Sequence, residues 1–257
     1  LEYKVDINCD LGESYGHFKV GNDAEIMLNI TSANIACGFH AGDPVTMMKT
    51  VQLAKRFKVA VGAHPGFPDL LGFGRREMKL TAEELGNYVV YQVGALQTIA
   101  MTGKMRLQHV KPHGALYNMA AKDESISKTI IKAVQSVNPK LILFAPAKSA
   151  TAEIASKMRQ PIALEAFADR AYNSDGTLVS RSKKGSVIDN LELVVKRVAQ
   201  MVTEGTVSAL NGDTVELGEV HTVCIHGDTV TAVELAKNLK SKLMLANVEV
   251  KAVGTFL

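Results

Sequence analysis

What this 257-residue chain lacks narrows it quickly. No apolar run approaches the roughly 20 residues of a membrane-spanning helix, so no membrane role is expected. No Ser/Pro-rich tract or low-complexity run divides the sequence. A single domain over residues 1–257 is therefore expected, since an α/β barrel commonly uses about 250 residues as one unit. Blocks of like charge are absent: 29 basic and 26 acidic residues are interspersed, for a net charge of +3. Without a basic stripe there is no nucleic-acid footprint. Cysteine is scarce and odd in number, three in all. Each lies within or at the end of an apolar run, which suits buried thiols in a reducing cytoplasm. The chain reaches its first strand with no basic or apolar leader pattern, so a cytoplasmic location is expected.

Common catalytic signatures are missing too. Neither GxGxxG nor GxxxxGK[ST] occurs, which argues against a dinucleotide or P-loop site within the chain. Gly12-Glu13-Ser14-Tyr15-Gly16 matches GxSxG, but it lies in the loop 11–21 rather than at a sharp strand-to-helix turn, so no serine-nucleophile elbow is expected, and no HExxH occurs. His109 and His113 have HxxxH spacing, but Pro112 and the apolar run place them on a strand. Four strand residues span roughly 13 Å, too far for one ion to hold both. Ligands gathered from separate strands would leave no spacing rule, so spacing leaves a metal open; no residue is assigned as a ligand.

What is present is a repeated pattern. Seven short apolar runs end in polar clusters: Asp6-Ile7-Asn8-Cys9-Asp10, Cys37-Gly38-Phe39-His40, Ala63-His64, Lys111-Pro112-His113, Ala145-Pro146, Ala168-Asp169-Arg170 and His226-Gly227-Asp228. Strands are expected at 5–10, 31–37, 58–64, 107–113, 140–146, 161–167 and 220–226. Helical stretches follow most of them. Asp43-Pro44 caps one helix, and Thr81 to Glu84 opens another with a capping-box pattern. Asn211-Gly212-Asp213 marks a hairpin within 206–218. The apolar run 248–253 is not placed as a strand. Strand followed by helix is the pattern of a parallel α/β sheet, and polar residues leaving nearly every strand favour closure into a barrel, whose chemistry lies at that rim.

Each cluster admits a plain reading beside a functional one. Asp6, Asn8 and Asp10 alternate onto one strand face, either as a hydrogen-bond network or as catalytic groups. Glu13 follows in a loop with the weaker case. His40 sits in a turn before a helix start and His64 ends a strand. Asp43 and Asp228 compete with plain helix caps. Lys111 and His113 flank a proline stop, where they could steady an oxyanion or phosphate, or the lysine could pair with an acid on a neighbouring strand. Arg170 heads a polar loop and is suited to carboxylate or phosphate binding.

At these clusters the sequence resembles the LamB/YcsF family. The stretches are 6–13, 34–43, 62–69, 111–117, 165–172 and 224–228, and the loop 70–76 also fits the family pattern. The resemblance implies a distorted seven-stranded β/α barrel similar to the glycoside hydrolase/deacetylase superfamily. It implies ATP-dependent opening of the lactam 5-oxoproline to L-glutamate, with the B and C subunits of a 5-oxoprolinase as partners; self-association stays open. With no phosphate-gripping loop here, ATP with Mg2+ is expected on partner subunits. On that reading Asp10 is the base toward water and His113 the acid or oxyanion donor. Lys111 and Arg170 hold phosphate or substrate carboxylate. Asn8, His40, His64, His226 and Asp228 shape the pocket. The alternatives are a metal-dependent amidase or carbohydrate deacetylase, and a non-catalytic subunit that presents the lactam.

Overall fold

Each apolar run becomes a parallel strand. The computed structural model describes residues 2–180, 182–225 and 232–257. Strands β1 (Tyr3–Leu11), β2 (Ser32–Ala36), β3 (Ala60–His64), β4 (Leu107–Val110), β5 (Ile142–Pro146) and β6 (Ile162–Phe167) pair in that order. The short antiparallel hairpin of β7 (Thr206–Ser208) and β8 (Thr214–Glu216) stands apart. Strand β9 (Thr222–Ile225) then lies parallel between β6 and β1 and closes a seven-stranded barrel. The unplaced run supplies β10 (Val248–Val250), which pairs with Tyr3–Val5 of β1 before the closure begins. It extends the sheet without entering the ring.

Around the ring pack α1 (Asp23–Ile26), α2 (Pro44–Phe57), α3 (Ala82–Thr102), α4 (Gly114–Ala120), α5 (Glu124–Val137), α6 (Ala150–Lys157), α7 (Leu191–Thr203) and α8 (Ala232–Leu245). None of the described helices is long and apolar enough to cross a membrane. The expected caps form. The Asp43 side chain accepts from the amides of Val45 and Thr46, and Thr81 and Glu84 make a full capping box. Several strand boundaries differ from the sequence expectation: β4 ends at Val110 rather than at 113, and at the start of β3 the cause is visible. Lys58 is not the first residue of β3 but the left-handed C-cap of α2, with φ 57°, a conformation that glycine adopts at less cost.

Alternation along β1 sorts the interior. Val5, Ile7, Cys9 and Leu11 join the apolar shell between strands and helices. Asp6, Asn8 and Asp10 point the other way, into the barrel. At the N-terminal end Ile142, Phe144, Ala163 and Val253 form a separate apolar cluster, with Phe256 packed on it. The barrel is thus filled from below by hydrocarbon, then by polar side chains, and its chemistry is confined to the strand exits. A surface groove of about 690 Å³, lined by residues including Leu107, Ile142 and Leu257, carries no titratable cluster.

Candidate active site

The polar interior rises in layers. Asp6, fully buried, accepts hydrogen bonds from the hydroxyls of Thr31 (2.7 Å), Ser32 (2.7 Å) and Thr222 (2.5 Å). Burial pushes its carboxyl up to about 6, with the three hydroxyls pulling back. Asn8, one step up, donates to Glu165 (2.9 Å) and Thr222 (2.8 Å), and accepts from Asn34 (2.7 Å) and Lys111 (3.1 Å). His109 donates from Nε2 to the Asn34 side-chain oxygen at 2.8 Å and stacks on Phe144. A Cβ on Gly62 would overlap that imidazole, so the ring fits only because residue 62 has no side chain.

Lys111 occupies the next level. Its ammonium lies 2.8 Å from Glu165, 3.3 Å from Asp10 and 3.0 Å from the Cys224 sulfur. The Phe167 ring centroid is 5.5 Å away. Burial disfavours the charge, but Asp10, Cys224 and Glu165 outweigh it and hold the ammonium well above the usual lysine range. The Tyr117 hydroxyl donates to the other oxygen of Glu165. Lys111 is therefore a buried cation paired with acids across the barrel, at the base of the site.

Above it, four strand exits bring Asp10, Glu13, His40, His64 and His113 together. Nδ1 of His64 donates to the Lys111 carbonyl at 2.7 Å, and its Nε2 lies 3.4 Å from Asp10. Nε2 of His113 donates to the Phe73 carbonyl at 2.8 Å, leaving its Nδ1 2.9 Å from Nε2 of His64. His40 stacks on His113, with ring centroids 3.7 Å apart and planes 4° from parallel. Its Nε2 lies 3.3 Å from Glu13. Burial, then the neighbouring His64, drives the His113 imidazole down to about 3. Burial, then His113 and His64, puts His40 well below the usual range. Both rings are neutral at neutral pH. Asp10 is the more open member, its side chain 15% exposed.

The loop after β3 clamps this cluster. Its Pro65 carbonyl accepts the His113 amide at 2.8 Å, and the Gly74 carbonyl accepts the Ala115 amide at 2.9 Å. Gly74 has φ 63°, and a Cβ there would meet both His113 and His40 at 2.7 Å. Gln92, buried on α3, grips Gly66 through both its amide and its carbonyl, each at 2.9 Å.

Asp10, His40, His64, Lys111 and His113 thus share one mouth. Asn8 lies beneath it, its side-chain amide used on protein partners. Arg170 is buried, and its guanidinium donates to the carbonyls of Val179 (2.6 Å) and Ser186 (3.3 Å), contacts that shape its own loop. His226 and Asp228 lie outside the described residues. The structure brings Glu13, the weaker case in the sequence, into the cluster and adds Glu165, Asn34, Tyr117 and Gln92. Glu165 was visible as an acid inside an apolar run, which needs a buried cation or hydrogen-bond donors to offset it. The N–H of His113 is directed to the Phe73 carbonyl and its other nitrogen faces His64.

A model of the LamB/YcsF family matches residues 5–257. The A subunit of the 5-oxoprolinase of Alkaliphilus metalliredigens is 51% identical over 255 residues, 99% of each chain. The corresponding chain of Pyrococcus furiosus is 52% identical over 254 residues, again 99% of each. The crystal structure of a lactam utilization protein from Thermus thermophilus superposes with a TM-score of 0.92 at 46% identity, covering 97% of this chain and 99% of that one.

Proposed function

This chain belongs to the LamB/YcsF family, and from that premise we propose that it is the ring-opening component of an ATP-dependent 5-oxoprolinase, converting 5-oxoproline to L-glutamate. One observation carries the reading. Asp10, an open carboxylate beside a buried ammonium, stands among three imidazoles at one barrel rim. The chain around it is half identical, end to end, to proteins named for that activity.

A lactam resists attack because its nitrogen feeds electrons into the carbonyl. Transfer of the terminal phosphoryl group of ATP to the amide oxygen removes that resistance and releases ADP. Asp10 takes a proton from water as the water adds to the ring carbon. It returns the proton to the ring nitrogen as the C–N bond breaks, leaving an acyl phosphate. A second water releases phosphate and completes glutamate. Lys111 fixes the charge and orientation of Asp10 from 3.3 Å below. ATP and its Mg2+ are assigned to the B and C subunits, since this chain has no glycine-rich phosphate loop. Proton transfer by a positioned carboxylate contributes about 10²–10⁴ in rate.

The test is an assay of glutamate release and ATP hydrolysis with 5-oxoproline, using this chain with and without its two partner subunits. Release that needs all three chains and ATP, and that Asp10→Asn abolishes in a folded chain, supports the proposal. Release unaffected by Asp10→Asn makes the chain a presenting component instead. The imidazole cluster favours a second reading, a metal-dependent amidase. Glutamate formation that needs no ATP and is lost with chelator would establish it.

A further inference from the structure

The two hydrogen bonds that orient His64 and His113 have a consequence for the space between the rings. A carbonyl can only accept, so Nδ1 of His64 and Nε2 of His113 must both carry their protons toward Lys111 and Phe73. That fixes both tautomers as they are fixed around metal ions, where the outward N–H is held by a backbone carbonyl. It also turns two lone pairs inward, at nitrogens 2.9 Å apart. Two lone pairs at that distance repel unless a cation lies against them. A shared proton would answer for two atoms only. Four donors face this volume: one atom each from Glu13, His40, His64 and His113, all within 4.8 Å of one another and all on buried residues. His40 Nε2 faces the Glu13 carboxylate at 3.3 Å, which favours its proton there, but its buried Nδ1 has no partner and can take that proton when an ion enters, so that Nε2 then presents a lone pair.

We propose that Glu13, His40, His64 and His113 form a binding site for one divalent transition-metal ion, of the zinc type rather than the magnesium type. Three imidazoles and one carboxylate suit zinc or its neighbours, whereas magnesium takes oxygen donors. Bonds to zinc of about 2.0–2.1 Å span at most about 4.2 Å between opposite ligands. Arranged tetrahedrally, such bonds put ligand atoms only about 3.3 Å apart, so the widest donor separation closes by roughly 1 Å or more and the 2.9 Å contact between His64 and His113 opens slightly as the ion enters. When bound, the ion supplies Lewis-acid chemistry at the rim. Asp10, 3.4 Å from the Nε2 of His64, borders the site without belonging to the donor set. The four ligands come from separate strand exits, which is why sequence spacing did not disclose them.

The test starts from the full chain stripped with chelator and desalted. Zinc is added, excess is removed on a second column, and bound metal is counted by mass spectrometry. Retention of about one equivalent, undisturbed by millimolar magnesium, is expected. His64→Ala and His113→Ala should each weaken binding by about 100-fold, while His17→Ala, on the exposed loop after β1, should bind as the parent does. Because a rim variant could misfold, the deciding readout uses the parent chain alone. With ¹⁵N-labelled histidine, zinc should shift the inward nitrogens of His64 and His113 and leave their outward N–H protons in place. No retained zinc, retention unchanged in both rim variants, or bound zinc with unshifted imidazoles would each overturn the site. The outcome is independent of the ring-opening proposal. A zinc-binding chain whose complete complex with ATP is inert toward 5-oxoproline counts against that reading alone, and an active complex that binds no zinc counts against this site alone.

Discussion

Two polar regions share the inside of this barrel, a few ångströms apart, and they solve burial differently. In the lower one, Asp6, Asn8, Asn34 and Glu165 exchange hydrogen bonds with hydroxyls, an amide and an ammonium. In the upper one, three imidazoles and two carboxylates face each other, with lone pairs opposed at 2.9 Å. Buried polar groups are nearly always paired, and those that are not mark strain or function. The lower region therefore contributes to a unique, rigid interior. The upper one holds its groups in an arrangement that becomes favourable only with a proton, an ion or a substrate. The comparison separates residues that hold the barrel from residues that use it.

The sharpest way to break that division is to change one carboxylate on each side. Asp10→Asn keeps the shape of the upper region and removes its base. Activity of the reconstituted complex should fall by about 10²–10⁴, with the urea midpoint of the isolated chain lowered less than in Glu165→Gln, because Asp10 is partly open and lies farther from the Lys111 ammonium, 3.3 Å against 2.8 Å. Glu165→Gln should do the reverse in character. It removes the anion 2.8 Å from the Lys111 ammonium, and breaking a buried pair costs about 3–5 kcal/mol, read as a lower urea midpoint with unchanged slope. A Glu165→Gln chain as stable as the parent would mean that the lower region is not structural.

Proton linkage sharpens the same contrast. The Asp6 carboxyl is raised by burial from 3.8 to about 6, so the folded chain holds its proton more tightly than the unfolded chain does. Stability from this group is complete below about pH 4 and is lost as pH rises through about 6. Measured against Asp6→Asn, the parent should lose about 3 kcal/mol of relative stability between those limits. Unfolding titrations at pH 4, 5, 6 and 7 would check the sign. A flat difference would show that the three hydroxyls, not burial, govern Asp6.

Much of this was legible in the sequence, for physical reasons that differ by residue. Asp6, Asn8 and Asp10 announced their shared face because a strand has period two. His64 and His113 stood out because they end apolar runs. Their partnership did not, because nothing in either segment encodes the turn that brings them to 2.9 Å. Lys111 could be read two ways, and the arbiter was Glu165, an acid on β6 whose meaning depends on a cation from another strand. Gln92 was hidden by its own context, one polar residue on the buried face of α3. The last strand, β10, carries no acid, histidine or arginine at its exit, and it lies outside the ring that generates that pattern.

The smallest expected effect supplies the reference for both regions. Lys58 ends α2 in the left-handed conformation at φ 57°, far from either polar layer. An L-residue other than glycine pays about 1–2 kcal/mol for that conformation, but glycine loses more freedom on folding, by roughly 0.5–1 kcal/mol. Lys58→Gly should therefore stabilise the chain by only about 0.5–1 kcal/mol, seen as a slightly higher urea midpoint. It should leave zinc retention, complex activity and the pH dependence of stability where they were. If so modest a gain in stability also altered activity, the rim would not be insulated from the frame, and losses seen in the Asp10 and Glu165 variants could no longer be assigned to separate regions.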